Sequence, residues 1–168
     1  MRVAVTGTPG TGKTTATQLV ETPLSTVHLN SVIREEELTT GHDERRDSAI
    51  ADIEAVVSRF EGQPDLLVES HLAHHLPVDR VVVLRCHPAE LETRLETRGE
   101  PPATVTENAE SEALDVVLAA AVEQHGASSV YEIDTTDREP VAVAADIEAV
   151  VRGERGPSAG TVSFVDYL

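Results

Sequence analysis

The sequence predicts a doubly wound α/β domain: three layers, α/β/α, with a five-stranded parallel sheet in the middle. Three observations predict it. Five short β-type runs alternate with longer helical stretches along the chain. Several of those runs are almost wholly apolar, as strands covered on both faces must be. A glycine-rich turn follows the first run directly and opens into a helix, as a βα unit requires. With 168 residues and 40% apolar composition, the chain has the length of one domain and enough apolar surface to bury a core.

Taken in order, the β-type runs are Arg2 to Thr6, Ser25 to Leu29, Asp65 to Glu69, Arg80 to Arg85 and Ser129 to Ile133. Between them, Asp47 to Phe60 sets Ile50, Ile53, Val57 and Phe60 at helical spacing, which predicts one amphipathic helix. Pro88 suits the first turn of a second helix, in which Leu91 and Leu95 share a face and Gly99 is placed to end it. Glu107 to His125 and Val141 to Val151 supply two more. Gly153 to Thr161 reads as a flexible linker, and Val162 to Leu168 as an apolar tail holding two of the four aromatics. Such a tail either folds back on its own domain or binds a partner. The domain proper is therefore residues 1–152, with residues 153–168 as linker and tail.

Gly7-Thr8-Pro9-Gly10-Thr11-Gly12-Lys13-Thr14 satisfies the pattern G-x-x-x-x-G-K-[ST] in full. Its glycines, Gly10 and Gly12 among them, let the backbone wrap a phosphate with N–H groups pointing inward. Lys13 reaches toward the β and γ phosphates, the Thr14 hydroxyl is placed to hold Mg²⁺, and Thr15 continues the ATP-binding turn. Of the 13 basic residues Lys13 alone is lysine and the others are arginine. The one ammonium thus stands where a compact, flexible charge serves better than a planar guanidinium.

Phosphoryl transfer is chiefly the positioning of negative charge, so further cations belong near the loop. Arg94 and Arg98 lie four apart on one helical face and are read as phosphate ligands; Arg34 follows the second strand. Arg45 and Arg46 read as surface partners of the many glutamates. Glu69 and His71 stand at the end of the third strand, where a parallel sheet presents residues to the crevice. A carboxylate there orients Mg²⁺, directly or through water, and a histidine steers an attacking hydroxyl or water. His71, His74 and His75 as a metal set is a weaker reading, since no cysteine or acidic cluster lies beside them.

Composition limits the partners. Thirty acidic residues against 13 basic give a formal net charge of -17, which repels nucleic-acid backbones and anionic membrane surfaces. No apolar run is long enough to span a bilayer, nothing resembles an export signal, and the lone Cys86 excludes an internal disulfide. A soluble, cytoplasmic protein is expected.

The phosphate loop, Arg34-Glu35-Glu36-Glu37-Leu38 with Gly41-His42-Asp43-Glu44, Glu69-Ser70-His71, Val81 to Arg85, Leu95-Glu96-Thr97-Arg98-Gly99 and Asn108-Ala109-Glu110 occur in that order. This set resembles the sixth adenylate-kinase isoenzyme family, small P-loop nucleotide kinases also described as coilin-interacting nuclear ATPases in animals. The resemblance covers about residues 1–151. It implies a P-loop nucleoside-monophosphate kinase fold with strand order 2-3-1-4-5, AMP entering under residues 28–50, and a short lid at about residues 98–108. It implies ATP and Mg²⁺ as cofactors, Arg34 on the monophosphate and Arg98 at the lid edge on ATP; Arg94, from its place on the same helical face as Arg98, is read as a second ligand of the monophosphate. It also implies intrinsic ATPase activity and a part in late small-ribosomal-subunit (16S rRNA) maturation, through a ribosomal protein of the uS11 kind. Two departures stand out. Familiar members carry Asp-x-His where this chain has Glu69-Ser70-His71, and an aromatic after Arg-Gly where it has Gly99-Glu100-Pro101-Pro102.

Three functions fit: an adenylate-kinase-type enzyme, an ATPase assembly factor with incidental kinase activity, or a kinase of another small metabolite. Independently of these, the acid excess with near-absence of lysine points to a salt-rich cytoplasm, where screening removes self-repulsion. The protein is expected to hold its fold in molar KCl and lose it in dilute buffer. Equal circular-dichroism melting curves in both would contradict salt adaptation.

Overall fold

A computed structural model describes all 168 residues. The strands are β1 (Arg2–Thr6), β2 (Ser25–His28), β3 (Thr39–Asp43), β4 (Ser48–Ala51), β5 (Leu66–Glu69), β6 (Arg80–Arg85) and β7 (Val130–Asp134). The helices are α1 (Lys13–Leu19), α2 (Leu29–Glu35), α3 (Ile53–Arg59), α4 (Pro88–Thr97), α5 (Pro102–Ala113), α6 (Val116–His125) and α7 (Pro140–Val151). The main sheet is parallel, in the order β2-β5-β1-β6-β7. Counting only its own members, that is 2-3-1-4-5.

Alternation along the apolar strands sends successive side chains to opposite faces, so the sheet makes two cores. On one face Ala4, Leu66, Val68, Val81, Val83 and Val130 meet Leu29 of α2, Val56 of α3 and Leu118 of α6. On the other Val3, Val5, Leu67, Val82, Leu84 and Ile133 meet Ala16 of α1 and Val143, Ile147 and Val150 of α7. A smaller cluster of Cys86, Leu91, Leu95 and Val105 seals α4 to α5.

Three expectations need correction. Asp47 to Phe60 is not one helix. Asp47 adopts φ 47° in a tight turn, Ser48–Ala51 pairs antiparallel with Thr39–Asp43, and the helix starts only after Asp52, whose side chain accepts from the Ala55 amide at 3.0 Å. Ile50 is consequently exposed, and Val56 with Phe60 forms the buried face.

Glu107 to His125 is likewise two helices, the first beginning at Pro102 inside the segment expected as a lid. The break falls at Asp115, which takes φ 55° and accepts from Arg85 Nη2 at 2.5 Å. A tertiary ion pair overrides a run with good helix-forming composition.

The last sixteen residues are not a loose linker. The Ser158 amide donates to Val130 O at 3.0 Å, and the Thr161 and Val162 amides donate to Glu132 Oε2 at 2.8 and 3.3 Å. Phe164 is 5% exposed, with the Arg85 guanidinium 5.2 Å above its ring, and the Tyr167 hydroxyl donates to Glu92 at 2.6 Å. The tail folds back on its own domain.

These contacts converge on Arg85, at the end of β6 and 1% exposed. Its Nε donates to Glu112 Oε1 at 2.8 Å, Nη1 to Glu132 Oε1 at 2.5 Å, and Nη2 to Asp115. Burial works against the charged guanidinium, but Glu112, Asp115 and Glu132 more than offset it and push its pKa above the usual arginine value.

Deleting residues 153–168 strips Phe164 from Arg85 and two amide donors from Glu132. Burial of one phenylalanine stabilises by about 1.5–3 kcal/mol, so the melting temperature should drop by roughly 5–10 °C in a thermal scan. An unchanged melting temperature would show that the tail's docking contributes nothing to stability.

Candidate active site

The phosphate loop occupies residues 7–14, between β1 and α1 at the C-terminal edge of the sheet. Its shape depends on glycine at two positions in particular. Gly10 takes φ 93°, and a Cβ there would lie 2.8 Å from Leu91 and 2.9 Å from Leu95, so only glycine lets α4 close on the loop. Gly12 takes φ 91° and caps α1. Within the loop, Lys13 Nζ donates to Gly7 O at 2.9 Å and Thr8 O at 3.1 Å. Burial lowers the Lys13 pKa to about 8; Glu69 and Glu112 pull it upward, and Arg98 lowers it further.

Beside the lysine, at the end of β5, Glu69 Oε1 accepts from the Thr14 hydroxyl at 3.0 Å and from His28 Nδ1 at 2.8 Å. A hydroxyl and a carboxylate brought together next to a phosphate loop form the hard oxygen set that Mg²⁺ prefers, so the residues fit that ion. No three of the histidines, cysteine and carboxylates gather closely enough to cage a metal by themselves. His71 borders the same cleft. Burial, then the Lys13 charge, then His75 lower its pKa to about 4, against a smaller upward pull from Glu69. At neutral pH it is therefore an uncharged hydrogen-bonding group. His74 belongs to the fold instead, sharing a 2.8 Å hydrogen bond with the Thr6 hydroxyl.

One cleft of about 700 Å³ collects Gly10, Gly12, Lys13, Thr14, Thr15, Glu69, His71, Arg94 and Arg98, as the sequence led us to expect. Two of the expected arginines behave differently. Arg34 does not line this cleft: it is exposed on the last turn of α2, with no ion pair or hydrogen bond. Arg94 reaches the cleft but is not set for a monophosphate. It pairs with Glu90 at 2.5 Å and donates to Gly10 O at 3.3 Å and Thr135 O at 3.1 Å, bracing the loop against the end of β7. Arg98 is exposed and without a carboxylate partner, a free cation at the cleft mouth. Arg46 forms the surface ion pairs expected of it, with Asp43 and with Glu107 of α5.

Sequence reasoning missed His28, Asn30, Thr135 and Arg138. Asn30 accepts from the Ser70 hydroxyl at 2.7 Å, and Arg138 pairs with Asp146 at 2.8 Å while lining the cleft. His28 ends β2 and the other three follow the C-terminal end of a sheet strand, the location that singled out Glu69, and the same rule applied to every strand would have found them.

Because Lys13 is the sole lysine, lysine labelled with ¹³C gives one side-chain signal. In the ligand-free protein its titration should be centred near pH 8. The folded state then binds fewer protons than the unfolded between about pH 8 and 10.5, so stability rises across that window while affinity for phosphate falls. A midpoint at the ordinary lysine value would contradict the burial described above.

The profile of a family described as AAA domain matches residues 3–115. Proteins named "Putative adenylate kinase" from Natronomonas pharaonis and Halobacterium salinarum are 63% and 59% identical to the chain, each over 100% of both sequences. One of the same name from Methanocaldococcus jannaschii is 34% identical over 100% of this chain and 97% of its own. Among solved structures, shikimate kinase from Acinetobacter baumannii in complex with shikimate superposes with a TM-score of 0.64, over 92% of this chain and 94% of that one, at 15% identity. Shikimate kinase from Bacteroides thetaiotaomicron gives 0.59 over 91% and 98%, at 17% identity. At that identity the likeness establishes a shared fold. Profile and full-length relatives together show that the chain belongs to the AAA-domain family of P-loop proteins, in the same group as these archaeal relatives.

Proposed function

We propose that the protein is an ATP-dependent nucleoside-monophosphate kinase of adenylate kinase type, converting ATP and AMP to two ADP. The observation that carries the reading is a single cleft with two sides facing one phosphate loop. One side holds Arg98, Thr135, Arg138, Pro140 and Val143 and suits the donor nucleotide; the other holds Asn30, Glu69 and His71 and suits an acceptor. The names of the full-length relatives support the same activity.

In this reading the loop amides cradle the donor's phosphates, and Lys13 exchanges its two carbonyl partners for phosphate oxygens. An acceptor phosphate oxygen attacks the γ phosphorus as the bond to the β–γ bridging oxygen breaks. Thr14 and Glu69 would hold Mg²⁺, which, when bound, neutralises charge on the transferring group. Arg98 adds a mobile cation at the rim. Residues 98–108 act as a short lid turning at Gly99, and residues 28–50 cover the acceptor, bringing Arg34 over it on closure. His71, uncharged, orients either the acceptor or a water, and the second role supports slow ATP hydrolysis. The wider role in small-subunit maturation rests on the family resemblance and on an acidic surface suited to a basic partner.

Consumption of ATP should be measured in high salt with and without each nucleoside monophosphate, and the product identified. ADP formation with AMP is expected far above hydrolysis. Indifference to every monophosphate would replace this reading with an ATPase acting as an assembly switch. Lys13→Ala should reduce transfer by about a hundredfold or more while leaving the circular-dichroism spectrum unchanged.

A further inference from the structure

Glu112 sits on α5, behind the phosphate loop, and is 2% exposed. Its Oε1 accepts from Arg85 Nε at 2.8 Å and from the Cys86 amide at 3.1 Å. Its Oε2 accepts from the Thr8 hydroxyl at 2.6 Å. Thr8 is 1% exposed, and its carbonyl is where the loop's inner contacts meet: it accepts from the Thr11 amide at 3.3 Å, the Thr11 hydroxyl at 2.9 Å and Lys13 Nζ at 3.1 Å. Both the side chain and the carbonyl of this one residue are held, the first by a carboxylate that cannot itself turn.

We propose that Glu112 is a positioning residue for nucleotide binding: through the Thr8 hydroxyl it fixes the peptide that organises Thr11 and Lys13, so the loop has its binding shape before a phosphate arrives. The proposal rests on the nucleotide-kinase reading given above.

The physical case has three parts. A loop with Gly7, Gly10 and Gly12 all at positive φ is costly to order, and whatever orders it in advance removes that cost from binding. Lys13 must leave the Thr8 carbonyl to reach a phosphate, and at that moment the hydroxyl–carboxylate bond becomes the main restraint on Thr8 besides Thr11. A hydrogen bond to an ionised, buried acceptor is about twice as strong as a neutral one, enough to serve as that restraint. Arg85 and the Cys86 amide aim the carboxylate, which makes the buried ion cluster the loop's rigid support.

Thr8→Val tests this most directly, because it keeps the shape of the side chain, removes only the hydroxyl and leaves the Arg85–Glu112–Cys86 contacts in place. Thr8→Ser restores the hydroxyl. In the ligand-free protein, Thr8→Val should speed amide hydrogen exchange at residues 7–13. It should also weaken ATP binding by about tenfold in calorimetry, with the KM for AMP nearly unchanged and the melting temperature lowered by a few degrees, because Glu112 Oε2 loses its donor. Thr8→Ser should recover most of both effects. Glu112→Gln should act in the same direction; if that variant fails to fold, the Thr8 pair still decides. Unchanged loop exchange and ATP affinity in Thr8→Val, or equal losses in Thr8→Ser, would overturn the proposal. A parent protein that binds no ATP refutes the kinase reading instead, and the loop exchange still judges the anchor.

Discussion

The rest of the structure depends on one buried arginine. Arg85 ends β6, between β1 and the edge strand β7, at the C-terminal edge of the sheet, and is satisfied by carboxylates from α5, from β7 and from the start of α6. A buried guanidinium without partners would be very unfavourable, so each of those elements must be in place for the others to be tolerated. This requirement breaks the α5–α6 run at Asp115, turns Glu132 inward to receive the tail, and sets Glu112 behind the phosphate loop. Hydrophobic burial supplies most of the favourable energy through two apolar layers. The ion cluster decides which arrangement those layers adopt at the edge where the cleft lies.

Charge is organised on two scales. Over the surface as a whole carboxylates dominate, while Lys13, Arg94, Arg98 and Arg138 gather around one cleft. Two of the three arginines there are already matched by Glu90 and Asp146, leaving Arg98 and the lysine as the uncommitted charges. A strongly acidic protein thus keeps two unpaired cations beside the loop, where contacts at close range rather than the net charge act.

How far the sequence speaks varies with the range of the interaction. The sheet was legible because its three central strands carry unbroken runs of valine, leucine and alanine, and the phosphate loop because its chemistry is confined to eight consecutive residues. Thr39–Asp43 was not, since Thr-Thr-Gly-His-Asp lacks an apolar alternation, and the chance spacing of Ile50 with Ile53, Val57 and Phe60 imitated one helix. Asp115 could not be read as a break without knowing that Arg85 is waiting for it. The ion cluster was invisible for the same reason: Glu112 and Glu132 stand 27 and 47 residues from the arginine they satisfy. In the cleft, the loop's own residues were found from their motif, and Glu69, His71, Arg94 and Arg98 from a strand end and a helical spacing. Arg34 was placed there by resemblance and lies elsewhere, while Arg138, which does line it, had no motif to mark it.

The β3–β4 hairpin pairs only with itself and shares no ladder with the main sheet. The Asp52 amide closes its root by donating to Leu38 O, the Leu38 amide ties that root to Ile33 O of α2, and the exposed pair of Arg46 and Glu107 holds its tip. Beyond Ala51 its sequence is therefore free of most of the packing demands that fix the five strands of the main sheet. Ala51 at its base packs against the core under α2 and α3; lengthening, shortening or exchanging the remainder, residues 40–50, would leave both cores untouched, so the fold carries a module that can diverge on its own while the phosphate-handling half stays fixed.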